Sequence, residues 1–193
     1  MPSLVVAGRA FPVLHVSQIA SALGLAPAPS GDPQRDGTDA AVILEAWLGN
    51  IHELDWETLL RPTPSRGRSL RNLTVNVFHP FELLPAAWTN HRFDWQPEAD
   101  HIRETAITNI GVLYSYTAHT AASWQRFLNN AGDKLGKCEP VISSPRGDLA
   151  FSALLSSQRW HAAYHYRQLL YVLDKDGLDL SRFEDLALPT AIF

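Results

Sequence analysis

Trp160-His161-Ala162-Ala163-Tyr164-His165-Tyr166-Arg167-Gln168-Leu169-Leu170 sets two histidines four residues apart within a segment of helical periodicity. At that spacing both imidazoles leave one helix face about a turn apart, so their ring nitrogens can converge on one point. Phe151, Leu154, Leu155, Ala162, Leu169 and Val172 form the apolar stripe, and His161, His165 and Gln168 fall on or beside it. The histidines are therefore expected to face inward. Two readings stay open: core imidazoles satisfied by neighbouring hydroxyls and carbonyls, or ligands of one divalent metal ion. Either way, so many polar groups on one apolar turn need partners.

This segment is the last of four long helical patterns. The first covers residues 39–60, capped by Thr38 or Asp39, with Ile43, Trp47, Ile51 and Leu54 inward and Pro62 and Pro64 ending it. The second begins near Ser69 and turns Leu70, Leu73, Val77, Phe81 and Leu84 inward. The third covers residues 99–130, with Ile107, Ile110, Tyr114, Ala118, Ala121, Gln125 and Leu128 in step. The fourth covers residues 148–175 and is closed by Gly177. The expected class is mainly α: a four-helix bundle from residue 38 onward with no central sheet, an architecture whose interior commonly holds sites built from facing helices. Residues 27–37, rich in Pro, Gly and small side chains, read as a linker. Residues 1–26 read as a short strand from Ser3 to Ala7, a turn at Gly8, an apolar patch and a helix over 16–23 stopped by Gly24. That unit cannot bury Val5, Val6, Phe11, Ile19 and Leu23 alone and is expected to dock on the helices.

Composition narrows the function. With 46% hydrophobic and 19% charged residues the chain is globular, and its net charge of −4 with no basic run argues against a nucleic-acid binder. The lone Cys138 excludes an internal disulfide and fits a reducing compartment, and no apolar run approaches a membrane span, so a cytoplasmic protein with a small-molecule substrate and no membrane partner is expected.

The helix His161-x-x-x-His165-x-x-Gln168, with Trp160 before it and the tail Leu186-Ala187-Leu188-Pro189, resembles the DinB-like superfamily of metal-dependent four-helix bundles. That superfamily includes mycothiol- and bacillithiol-dependent transferases and mycothiol-dependent maleylpyruvate isomerases. Residues 1–26 resemble the last strand and helix of the glutaredoxin-like segment that precedes the bundle in one subgroup, here without any Cys-x-x-Cys. The resemblance implies a divalent metal, Zn, Ni or Fe, on His161, His165 and a third histidine from helix two. A low-molecular-weight thiol would be the co-substrate, and a homodimer is compatible with it. Alignment puts Asn76 at the third position; His79 lies a turn later, before Pro80, which disfavours helical geometry at His79 and could swing its ring inward. Both candidates stay open. A metal on His79, His161 and His165 would lower the pKa of a bound thiol or polarise a carbonyl. Gln168 would steady the ligands, and Tyr164 and Arg167 would meet a carboxylate-bearing thiol or substrate.

Three functions follow. One is a metal-dependent thiol transferase or isomerase. A second is a metal-free enzyme of the same fold in which His161, His165, Gln168 and Asn76 perform acid–base chemistry such as cyclisation, elimination or isomerisation. The third is a non-catalytic binding protein. His15, His52, His91 and His101 read as structural or exposed, His119 stays ambiguous, and the six tryptophans read chiefly as core filling.

Overall fold

The computed structural model describes residues 31–63, 67–145 and 147–173 and two N-terminal strands, Ser3–Val6 (β1) and Arg9–Pro12 (β2). These strands pair antiparallel, Leu4 opposite Phe11 and Val6 opposite Arg9. β2 stands where the sequence read only as an apolar patch, because four residues ending in Pro show too little alternation to announce a strand. The helix expected over 16–23, Gly177 and the tail lie outside the described residues.

Helix α1, Pro33–His52, begins inside the segment that composition marked as linker. Asp32 accepts from the amides of Gln34 and Arg35 at 2.9 and 3.3 Å, and Pro33 supplies a pre-set φ where no amide hydrogen is needed. Ile43, Trp47 and Ile51 are buried as expected. The pattern read as one helix to residue 60 breaks after His52. Asp55 caps a new short helix, α2 (Trp56–Leu60), accepting from the Thr58 amide at 2.7 Å.

Helix α3, Leu70–Asn90, starts where expected, its cap Ser69 accepting from the Asn72 amide at 3.0 Å. It continues through Pro80 and Pro85, and from Leu73 to Phe81 every residue is buried. The third predicted helix is two: α4 (Pro97–Ala106) and α5 (Ile110–Ala131). Asn109 starts α5 by accepting from the Val112 amide at 3.0 Å. That restart shifts the stripe to Leu113, Thr117, Thr120 and Trp124, while Ala118 and Gln125 are exposed. Thr117 and Thr120 return their hydroxyls to the carbonyls of Leu113 and Tyr116, both at 2.9 Å, so their burial leaves no unmet polar group. A stripe traced through apolar residues alone misses them.

A short turn of helix α6 (Lys134–Lys137) and a two-residue antiparallel ladder, β3 (Val141–Ile142) with β4 (Leu149–Ala150), lead into α7 (Phe151–Leu173). The protein is mainly α. Helix α1 packs on α5 and α7, α3 packs on the same two, and α4 covers α3. Across the centre the Trp47 indole donates to the Thr74 hydroxyl at 3.0 Å, and the Trp124 indole donates to the Gly37 carbonyl at 3.1 Å. Each fully buried aromatic here contributes on the order of 2–3 kcal/mol of hydrophobic stabilisation. Between α1 and α7, buried Arg159 pairs with Asp36 at 3.0 Å and Asp39 at 3.1 Å. Among the described residues no helix is long and apolar enough to cross a membrane.

Candidate functional site

Helix α3 carries Asn72, Asn76 and His79 at i, i+4 and i+7, a polar stripe along one side of the helix. Helix α4 lies over it with buried Asp100 and Glu104, themselves one turn apart. Glu104 takes Arg71 at 2.8 Å and the Asn72 amide at 2.8 Å. One turn on, Asp100, only 3% exposed, receives donors from three sides: Asn76 Nδ2 at 2.7 Å, Trp95 Nε1 at 2.9 Å and His79 Nδ1 at 2.7 Å. An indole N–H and an amide NH₂ can only donate, an arrangement that suits a carboxylate, and His79 Nδ1 then carries the hydrogen it shares with Asp100.

That carboxylate fixes its neighbours. With Nδ2 committed to Asp100, Asn76 presents Oδ1 to His161 Nε2 at 3.0 Å. A carboxamide oxygen only accepts, so His161 holds its hydrogen on Nε2 and, when neutral, its lone pair on the buried Nδ1. On the same helix His165 Nδ1 faces Gln168 Oε1 at 2.6 Å, which puts the His165 lone pair on Nε2. The two rings stand perpendicular with centroids 4.6 Å apart. Trp95, at 5.6 Å from the His161 ring, both holds Asp100 and walls the site.

Of the expected residues, Asn76, His161, His165 and Gln168 are brought together. Tyr164 meets the His165 ring at 5.1 Å and stacks on Trp160 at 5.4 Å, and Arg167 is half-buried one turn beyond it. His79 is buried and stays on the helix, but its Nδ1 turns to Asp100 rather than to the histidine pair. A metal ion needs several lone pairs aimed at one point. Among the described residues no three His, Cys, Asp or Glu side chains are grouped closely enough to hold one. His52, His91, His101 and His119 are exposed, and His15 lies outside the described residues.

Asp100 and Trp95 were not anticipated. The signal available for them was the matching of polar spacing between two helices: Asn72, Asn76 and His79 on α3, Asp100 and Glu104 on α4. Beside them Tyr116 lies near Glu82 and under Arg103, whose guanidinium is 5.6 Å from the ring. Burial pushes its hydroxyl far above the ordinary phenol range, with the Glu82 carboxylate adding to the shift, so Tyr116 stays protonated.

Comparison with family models, curated proteins and solved structures finds no match to this chain.

Proposed function

We propose that this chain is an enzyme of the DinB-like four-helix-bundle kind in which His165 acts as a general base toward a small-molecule substrate, without a metal. The observation that carries the reading is the ordered chain of hydrogen bonds from Asp100 through Asn76 to His161. His165 is half-buried, with Gln168 holding its Nδ1 hydrogen, so its Nε2 is the nitrogen suited to take a substrate proton. His161 is a positioning residue: pinned through Nε2, it fixes the wall against which the His165 ring stands. The Asn76 amide passes no proton. It turns the negative charge of Asp100 into a fixed dipole beside the imidazoles, which favours the imidazolium formed when a proton is taken. Trp160, Tyr164 and Arg167 border this half-open face and would hold the substrate. A proton shift in an isomerisation, elimination or cyclisation is the chemistry such a pair supports.

Long-range proton–nitrogen NMR of the histidine rings tests this without knowledge of the substrate. Neutral His161 is expected as the Nε2–H tautomer and His165 as Nδ1–H, assigned with His161→Gln and His165→Gln. Asp100→Asn frees the Asn76 amide to rotate and gives His161 a mixture of tautomers. A mixture in the unaltered protein overturns the reading.

The second reading, a metal-dependent thiol transferase or isomerase, is favoured by the 4.6 Å approach of His161 and His165. Stoichiometric divalent metal in untagged protein, lost in His165→Gln, selects it. Asn76→His gaining metal that the parent lacks selects the metal-free reading.

A further inference from the structure

The C-terminal ends of α3 and α5 and the start of α6 enclose a groove of about 430 Å³ that shares no residue with the histidine site. Its floor is aromatic: the Trp88 and Phe127 rings meet edge to face at 6.2 Å, and Phe151 supports Trp88 from behind at 4.8 Å. Its rim is cationic. Arg126 and Lys134 both line it and no acidic residue does, in a chain whose net charge is −4 and which has few lysines. Asp133, beside Lys134 in sequence, is already paired with Lys137 at 3.1 Å. Among the described residues Arg126 and Lys134 have no carboxylate partner, and the exposed Asn130 amide adds a neutral donor between them.

We propose that this groove binds a small aromatic carboxylate. Two cations at one rim, without a carboxylate partner among the described residues, suit a charge-assisted pair with a carboxylate, and Trp88 and Phe127 offer a face and an edge to a flat ring. An inorganic anion would leave the aromatic floor unused, and a neutral apolar molecule would leave the cations unused. The volume suits a ligand of one or two fused rings, within the range of about 300–1,000 Å³ usual for small-molecule sites.

The test is a titration of the full chain with naphthoate, followed at the Trp88 indole N–H in proton–nitrogen correlation spectra and assigned by its loss in Trp88→Phe. A saturable shift of that signal is expected. Arg126→Gln with Lys134→Gln, both exposed and without a carboxylate partner among the described residues, should weaken binding about tenfold or more, and uncharged naphthamide should bind weaker by a similar factor. Inorganic phosphate should leave the signal in place, and His165→Gln should leave naphthoate affinity unchanged. The proposal is overturned if the Trp88 signal does not move at millimolar naphthoate, if the double variant or naphthamide binds as well, if phosphate alone saturates the signal, or if His165→Gln abolishes binding.

Discussion

At the scale of single residues, what matters is which atom holds a hydrogen. His161 and His165 were visible in the sequence by their spacing, yet their chemistry depends on Asp100, distant in the chain and packed against Asn76 by α4. A second buried acid gives a prediction of its own. Burial lifts the Asp36 carboxyl above its ordinary range, against the opposing pull of Arg159. The folded protein therefore keeps that proton to higher pH than the unfolded chain does. Its contribution to stability is greatest below the ordinary carboxylate pKa and declines as pH rises through the raised value. Asp36→Asn removes the titration. Its melting temperature relative to the unaltered protein should thus become more favourable as pH rises through and above the ordinary carboxylate range of about 4. A difference that stays flat, or falls, over that rise in pH would contradict the raised value.

At the scale of elements, helix starts were legible where the cap was a single residue with its acceptor in place. Ser69 announced α3 correctly, whereas Asp32 lay in a run of prolines that read as linker, and Asp55 and Asn109 split helices that apolar spacing had joined. An apolar stripe survives a break of a few residues, so periodicity alone does not see it. The pair α1 and α7 is locked by Arg159 between Asp36 and Asp39, all at most 6% exposed. Arg159→Ala leaves two buried carboxylates without their shared cation and should cost about 3–5 kcal/mol in chemical denaturation. Replacing all three residues by apolar ones of similar volume should cost less than that single change. Were the triple variant the less stable of the two, the ion cluster would be a net stabiliser rather than a self-compensating unit.

At the scale of the whole molecule, each long helix rests on two others, and Trp124 ties three of them together. It lies on α5, meets Phe81 of α3 at 5.3 Å and donates to the Gly37 carbonyl of α1 at 3.1 Å. Trp124→Phe keeps most of the ring and loses the hydrogen bond; the Gly37 carbonyl, inside α1, keeps its place in the helical ladder, so the cost is about 0.5–1.5 kcal/mol. Trp124→Ala should cost about 3–5 kcal/mol, because the cavity opens where three helices meet. Far-UV circular dichroism and tryptophan fluorescence should still report one shared transition in the Phe variant; two separated transitions would show that α1 with α7 and α3 with α5 unfold independently. The sequence by itself determined the helical class, the buried faces of α1, α3 and α7, and the placing of two histidines on one face of α7, because those follow from local periodicity and from the insolubility of apolar stripes. Tertiary structure alone decided that α4 folds back over α3. That docking makes Asn76 and His79 partners of Asp100, and through Asn76 it directs the ring hydrogen of His161. The physical reason is that a hydrogen bond depends on distance and direction between atoms, and the donors here come from residues 76, 79 and 95 to an acceptor at 100, and on to 161, separations over which local sequence pattern carries no geometry.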